Sequence, residues 1–143
     1  MLYNVPAIIT PDLLTTLAMM GHGDWLAIVD GNYPVFSRHD LVHPLPGVDT
    51  VEALEAVLTL FPMDTFEEPC AYTMVPDPPR EDACPAHEPF EAALRKATSR
   101  DIKLGEVPRT DFYKLAADKA FAAIQTTDNR PYSCFLICKG VIF

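Results

Sequence analysis

The chain has 143 residues, 49 % hydrophobic and 22 % charged, proportions of an ordinary globular protein that can bury a core without disulfide support and fits within one domain, residues 1–143. Asp and Glu outnumber Lys and Arg by 20 to 11, a net charge of −9; such a surface repels phosphate backbones and argues against a nucleic-acid partner, while a small neutral substrate does not notice it. Proline is frequent, 14 residues against a usual share of ~5 %, so helices are expected to be short and a long bundle or coiled coil is excluded.

No run of 18 apolar residues is present, so no membrane span is expected. The opening MLYNVPAIITPD lacks the basic region and cleavage site of a secretory signal. Cys70, Cys84, Cys134 and Cys138 are too scattered for a disulfide framework or a zinc pattern, and reduced thiols in a cytoplasm are the simplest reading.

In chain order, Thr10 is a natural N-cap, Pro11 suits the first helical position and Asp12 favours the positive helix end. Leu13, Leu14, Leu17 and Ala18 then share an apolar face, with Gly21 as the expected left-handed stop. Trp25–Val29 is a short apolar run, read as a buried strand, followed by the turn Asp30-Gly-Asn-Tyr-Pro34. Asp49 and Glu52 form a capping box ahead of Val51, Leu54, Val57, Leu58 and Phe61, a second helix that Pro62 ends. Ala71–Val75 is read as a strand, and the prolines from Pro76 to Pro89 as an ordered surface loop. A third helix is expected over Phe90–Ala97, and an extended segment over Ile102–Val107. Asp111 is placed as cap of a fourth helix carrying Phe112, Leu115, Ala116, Lys119, Ala120 and Ala123. A short strand near Ala123–Thr126, a hairpin-type turn at Asp128–Pro131 and a last strand over Tyr132–Cys138 close the chain. Helices alternating with short buried strands describe an α/β fold with a mixed sheet.

Sites in such sheets gather beyond the carboxyl ends of strands, and Asp30 lies there, directly after Val29. His22, between two glycines in the loop entering the same strand, is uncrowded, and histidine as a residue type suits proton transfer near neutral pH; a polar loop histidine satisfied after a helix end is the plainer reading. Asp24 reads as a turn residue bonded to its own backbone. Up to ~25 Å of extended chain separates His22 from Asp30, so one site using both needs a bend or a second subunit. Arg109 reads equally as a solvated ion-pair partner, Phe112 and Tyr113 as core aromatics, Tyr132 as structural or ligand-stacking, and His39, His43 and His87 as surface residues. No nucleotide-binding glycine loop or serine-hydrolase elbow is present.

The pieces Ile9-Thr-Pro-Asp-Leu-Leu14, Met20-Gly-His-Gly-Asp24, Asp30-Gly-Asn-Tyr-Pro34, Arg109-Thr-Asp-Phe-Tyr113, Lys119-Ala-Phe121 and Tyr132 with Lys139-Gly-Val141 run in the order of the RbsD/FucU family of sugar mutarotases. The chain resembles its L-fucose branch more than its D-ribose pyranase branch. The resemblance implies a three-layer α/β/α fold with a mixed, mainly parallel sheet, and a cofactor-independent, metal-free isomerase that interconverts the anomers of a monosaccharide. It gives His22 the role of proton donor, and sugar binding to Asp30, Arg109, Tyr113, Tyr132, Ser133 and Cys134. At Cys134 the family pattern has an asparagine, whose amide is a far better hydrogen-bonding group than a thiol; a D-ribose pyranase or a noncatalytic sugar-binding protein is the alternative. Ring-shaped homodecamers with sites between adjacent subunits are also implied, an arrangement that would join His22 to Asp30. The general base is open among Asp24, a tyrosine and water.

Overall fold

Ten elements alternate along residues 1–143, all described in a computed structural model. They are α1 (Pro11–Met19), β1 (Trp25–Val29), β2 (Val42–Leu45), α2 (Thr50–Leu58), β3 (Ala71–Val75), α3 (His87–Thr98), β4 (Gly105–Pro108), α4 (Arg109–Lys119), β5 (Ala120–Thr126) and β6 (Phe135–Cys138). The strands form one sheet in the order β2-β5-β1-β6-β3-β4. Only β6 runs against the others, antiparallel to both β1 and β3; β1–β5, β2–β5 and β3–β4 pair in parallel. This is the mixed, mainly parallel sheet of a layered α/β fold. All five residues of β1 and all four of β6 are buried, as strands covered on both faces must be. Helix α2 packs on α3 and against β1 and β5, while α4 packs on β3 and β4. Between the layers lies one cluster of 36 buried apolar residues.

The helix caps follow their local chemistry. The Thr10 hydroxyl accepts from Leu13 N at 3.2 Å. The Asp49–Glu52 capping box is complete, with Asp49 N donating back to Glu52 at 2.9 Å.

Several expectations are corrected. Helix α1 ends at Met19 with Met20 extended; the left-handed glycine is Gly23, φ 84°, not Gly21. Strand β2 was unforeseen because Pro44 interrupts its pattern. An edge strand tolerates a proline whose missing N–H is not needed by a neighbour, and β2 is such an edge. Helix α4 starts at Arg109 and is not capped by Asp111: Asp77, 33 residues away, accepts both Thr110 N and Thr110 Oγ1 at 2.9 Å. The helix stops at Lys119 rather than Ala123, because Ala120–Gln125 are recruited as the parallel partner of β1. No β5–β6 hairpin forms, since β1 lies between the two strands. The intervening turn crosses the end of β1 instead, where the Asp128 carbonyl accepts from Gly31 N at 3.0 Å.

The three histidines assigned to the surface are also corrected. His43 is buried in β2, 2.8 Å from the Thr16 hydroxyl. His39 is half-buried against the Tyr33 hydroxyl at 3.0 Å. His87 is half-buried at the start of α3. Burial pushes all three below the usual imidazole range.

Candidate active site

Chemistry-bearing groups collect at both ends of β1. At its carboxyl end, Asp30 is 5 % exposed. One carboxylate oxygen accepts from Asn32 N and Tyr33 N, both at 2.9 Å, which shapes the turn. Burial raises its pKa, and the Asp128 charge adds to this, against the lowering by the Asn32 and Tyr33 N–H groups and the Cys134 thiol.

Asp30 lies on the wall of an open cavity of about 520 Å³, together with Tyr33, Arg109, Tyr113 and Tyr132. That is ample room for one monosaccharide. The Tyr33 and Tyr113 rings meet edge to face at 5.3 Å. The guanidinium groups of Arg38 and Arg109 lie 4.8 and 5.5 Å from the centre of the Tyr113 ring. Arg109 is aimed by Asp77, 3.0 Å away, so the residue that caps α4 also sets its first guanidinium.

Tyr132 has φ 58°, a left-handed conformation that a bulky residue rarely adopts. Its carbonyl lies 3.1 Å from His87 Nε2. A carbonyl can only accept, so that nitrogen carries the His87 proton. Its hydroxyl donates to Asp82, which also receives Arg80 Nε at 2.7 Å.

Arg80 and Asp82 come from the proline-rich loop and line the cavity. That loop reads from its sequence as ordered surface, with no signal at Asp77, Arg80 or Asp82. Nothing in its composition distinguishes a loop that lines a cavity from one that does not.

Ser133 and Cys134 follow Tyr132 but are fully buried and do not line the cavity. The Cys134 thiol is pushed well up, mainly by burial and then by the Asp30 charge. It therefore stays a neutral donor beside Asp30.

At the other end of β1 stands His22, 2.9 Å by its Nε2 from Asp64 Oδ1. Its imidazole is 44 % exposed while the Asp64 side chain is fully buried. The exposed Phe66 ring tilts over the imidazole at 5.1 Å.

The C-terminal Lys139-Gly140 pair builds this corner. Lys139 Nζ donates to the Leu17 and Met20 carbonyls that end α1, at 2.7 and 2.5 Å. Its backbone exchanges bonds with Gly23 and Asp24, each at 2.9 Å. Gly140 has no room for a side chain, because a Cβ there would fall 2.4 Å from the Met63 carbonyl. Asp24 Oδ2 accepts from Gly21 N at 2.7 Å, the turn role expected of it. The sequence signal for Asp64, an aspartate shortly after a helix-ending proline, reads equally well as a turn residue.

The structure thus brings Asp30, Arg109, Tyr113 and Tyr132 together on one cavity. It leaves His22 at the far end of a strand of five residues, about 16 Å long.

Residues 4–142 match the model of the RbsD / FucU transport protein family. The chain belongs to this family. Among its relatives, the fucose mutarotase of Danio rerio is 38 % identical over 152 residues, covering 99 % of this chain and 94 % of the relative. The FucU structure from Bifidobacterium longum superposes with a TM-score of 0.92 at 34 % identity, covering 98 % of this chain and 99 % of that one. The fucose mutarotase of Streptococcus pneumoniae, solved in complex with L-fucose, gives 0.89 at 28 % identity over 99 % of this chain and 100 % of that one.

Proposed function

We propose that the protein is a cofactor-independent, single-domain mutarotase that interconverts the α and β anomers of L-fucose. The observation that carries this is the family membership combined with a sugar-sized cavity that holds Asp30, Arg109, Tyr113 and Tyr132. Asp30 and Arg109 would hold sugar hydroxyls; Arg109 stays protonated throughout and therefore orients rather than exchanges protons. Tyr113 and Tyr132 offer ring faces for stacking. Ser133 and Cys134 would act through their backbone and by supporting Asp30.

Ring opening breaks C1–O5, moves the O1–H pair into a carbonyl and delivers a proton to O5. Rotation about C1–C2 and the reverse transfers close the ring as the other anomer. His22 carries the imidazole, the side-chain type suited to these transfers, worth ~10²–10⁴-fold. For it to reach sugar held beside Asp30, a neighbouring subunit must present it. The exposed Phe66 beside His22 suits such a contact. A ring-shaped homodecamer in the cytoplasm completes the reading. No helix is long and apolar enough to cross a membrane.

Saturation transfer between the two anomeric protons of L-fucose tests it. Transfer with wild type that vanishes with His22→Ala is expected. Absence of transfer with wild type, despite measurable fucose binding, would overturn the enzyme and leave a sugar-binding protein.

A further inference from the structure

Asp82 lies on the cavity wall with Arg80 and Tyr132, and only one of its two carboxylate oxygens is engaged by the fold. Oδ2 accepts from Tyr132 Oη at 2.5 Å and from Arg80 Nε at 2.7 Å. Oδ1 makes no hydrogen bond within the chain, and the side chain is 35 % exposed. The bond from Arg80 first, and then the one from Tyr132, holds Asp82 below the usual carboxylate range. An ionised carboxylate only accepts, so Oδ1 offers lone pairs and no proton. The loop itself is tied down elsewhere: Arg80 N bonds the Asp77 carbonyl at 3.0 Å, and Asp77 accepts from Thr110 N at 2.9 Å.

Tyr132 is fixed at both ends. Its backbone is left-handed, with its carbonyl 3.1 Å from His87 Nε2. Its one hydroxyl proton goes to Asp82, which raises the phenol above its usual pKa, and burial adds to this. The phenol therefore stays protonated and meets a ligand with its lone pairs. A hydroxyl held in this way neither takes the proton of O1 nor gives one to O5, so its part is recognition.

We propose that Asp82 is a specificity-determining residue of the sugar site, its Oδ1 and the Tyr132 hydroxyl oxygen acting as paired acceptors for two neighbouring sugar hydroxyls that must both donate. The inference rests on the mutarotase reading above and adds to that site a contact from the proline-rich loop. Asp30 and Arg109 remain for other polar groups of the ring. The ligand selected is a monosaccharide with an intact vicinal diol on the Asp82 side. A sugar with a deoxy carbon there leaves one acceptor without its donor, and that loss is what discriminates against it.

The test is the binding of L-fucose and of its 2-, 3- and 4-deoxy analogues to wild type, Asp82→Ala and Asp82→Asn, with Kd read by calorimetry. In wild type, loss of either of two adjacent hydroxyls is expected to weaken binding by ~10-fold. In Asp82→Ala both penalties should shrink to within about twofold, because Oδ1 is gone and the phenol proton is free to turn to the ligand. In Asp82→Asn only one should shrink, since the amide oxygen still takes the Tyr132 proton while its NH₂ group replaces Oδ1.

Variants that weaken all four sugars by one common factor would show Asp82 to be structural and overturn the proposal. Wild type that binds the deoxy sugars as tightly as L-fucose, which needs no variant to observe, would overturn it as well. The expected pattern of Kd values in a protein that exchanges no anomers would count against the mutarotase reading alone and leave the role of Asp82 standing. Wild type that binds none of the four sugars would overturn both.

Discussion

The two ends of β1 carry two buried carboxylates with opposite fates. Asp64, fully buried, is surrounded by donors and held below the usual pKa range. Asp30, also buried, is pushed above it because the Asn32 and Tyr33 N–H groups and the Cys134 thiol do not offset burial and the nearby Asp128 charge. For each group the balance between burial and the donors around its carboxylate sets the sign. A carboxylate whose valences are filled by its own fold can only position a neighbour. One left short of donors beside a cavity is ready to accept them from a ligand, and sugar hydroxyls are such donors.

The largest effect should come from the histidine. His22→Ala is expected to slow anomer exchange by ~10²–10⁴-fold, while calorimetry still detects fucose. If the variant loses binding instead, His22 belongs to the sugar-holding group and the division between the two ends fails.

Asp30→Asn should do the reverse, weakening fucose binding by roughly 10–100-fold through loss of a charged acceptor, with the His22 ring unchanged in its NMR signature. Equal damage to both ends from either substitution would merge the two regions into one structural unit.

The opposite pKa shifts predict opposite stability effects. For Asp64 the folded pKa is depressed: its contribution is present above the unfolded value of ~3.9 and lost as pH falls through the folded pKa. For Asp30 the folded pKa is raised: the folded state binds more protons between ~3.9 and its own pKa, so stability falls as pH rises across that window. Asp64→Asn is therefore expected to lower Tm at pH 7, and Asp30→Asn to raise it, by a few degrees each at ~2–4 °C per kcal/mol. Both differences should shrink towards pH 3. Thermal scans at the two pH values check this, and a like-signed pair of shifts would contradict it.

A smaller effect is expected from Asp77→Ala, which removes the acceptor shared by Thr110 and Arg109. The KM for fucose should rise a few-fold with kcat nearly unchanged, because the cap guides the guanidinium without touching the reacting atoms. A change confined to kcat would place Arg109 in the chemistry instead.

Legibility in the sequence followed the range of each interaction. Thr10, the Asp49–Glu52 box and the apolar run Trp25–Val29 act within a few residues, and all three elements begin where the pattern put them, although α2 stops at Leu58, short of the expected Phe61 and Pro62. Strand β2 was hidden because Pro44 argues against a strand anywhere but at an edge, and the edge is a property of the whole sheet. The start of α4 was misplaced because its cap, Asp77, arrives from the proline-rich loop. Asp30 was legible from its place after a strand, and Arg109, Tyr113 and Tyr132 only through the family resemblance that their segments carry. Asp64, Arg80 and Asp82 were not, since what each does is defined by a partner far away in sequence. Cys134 stood out as a departure from the family pattern, and it is buried beside Asp30, off the cavity wall.

The central claim is that one site is completed by the two ends of β1 from different subunits, and mixing inactive variants tests it most directly. His22→Ala and Asp30→Asn chains, each slow alone at fucose concentrations well below the wild-type KM, would be co-expressed in equal amounts, their co-assembly verified by mass and exchange measured at such a concentration. The account predicts that anomer exchange of L-fucose returns to about a quarter of the wild-type rate, the share of subunit contacts that pair an intact His22 with an intact Asp30. Co-assembled chains that stay as inactive as the separate variants would contradict it and place both ends of the chemistry within one subunit.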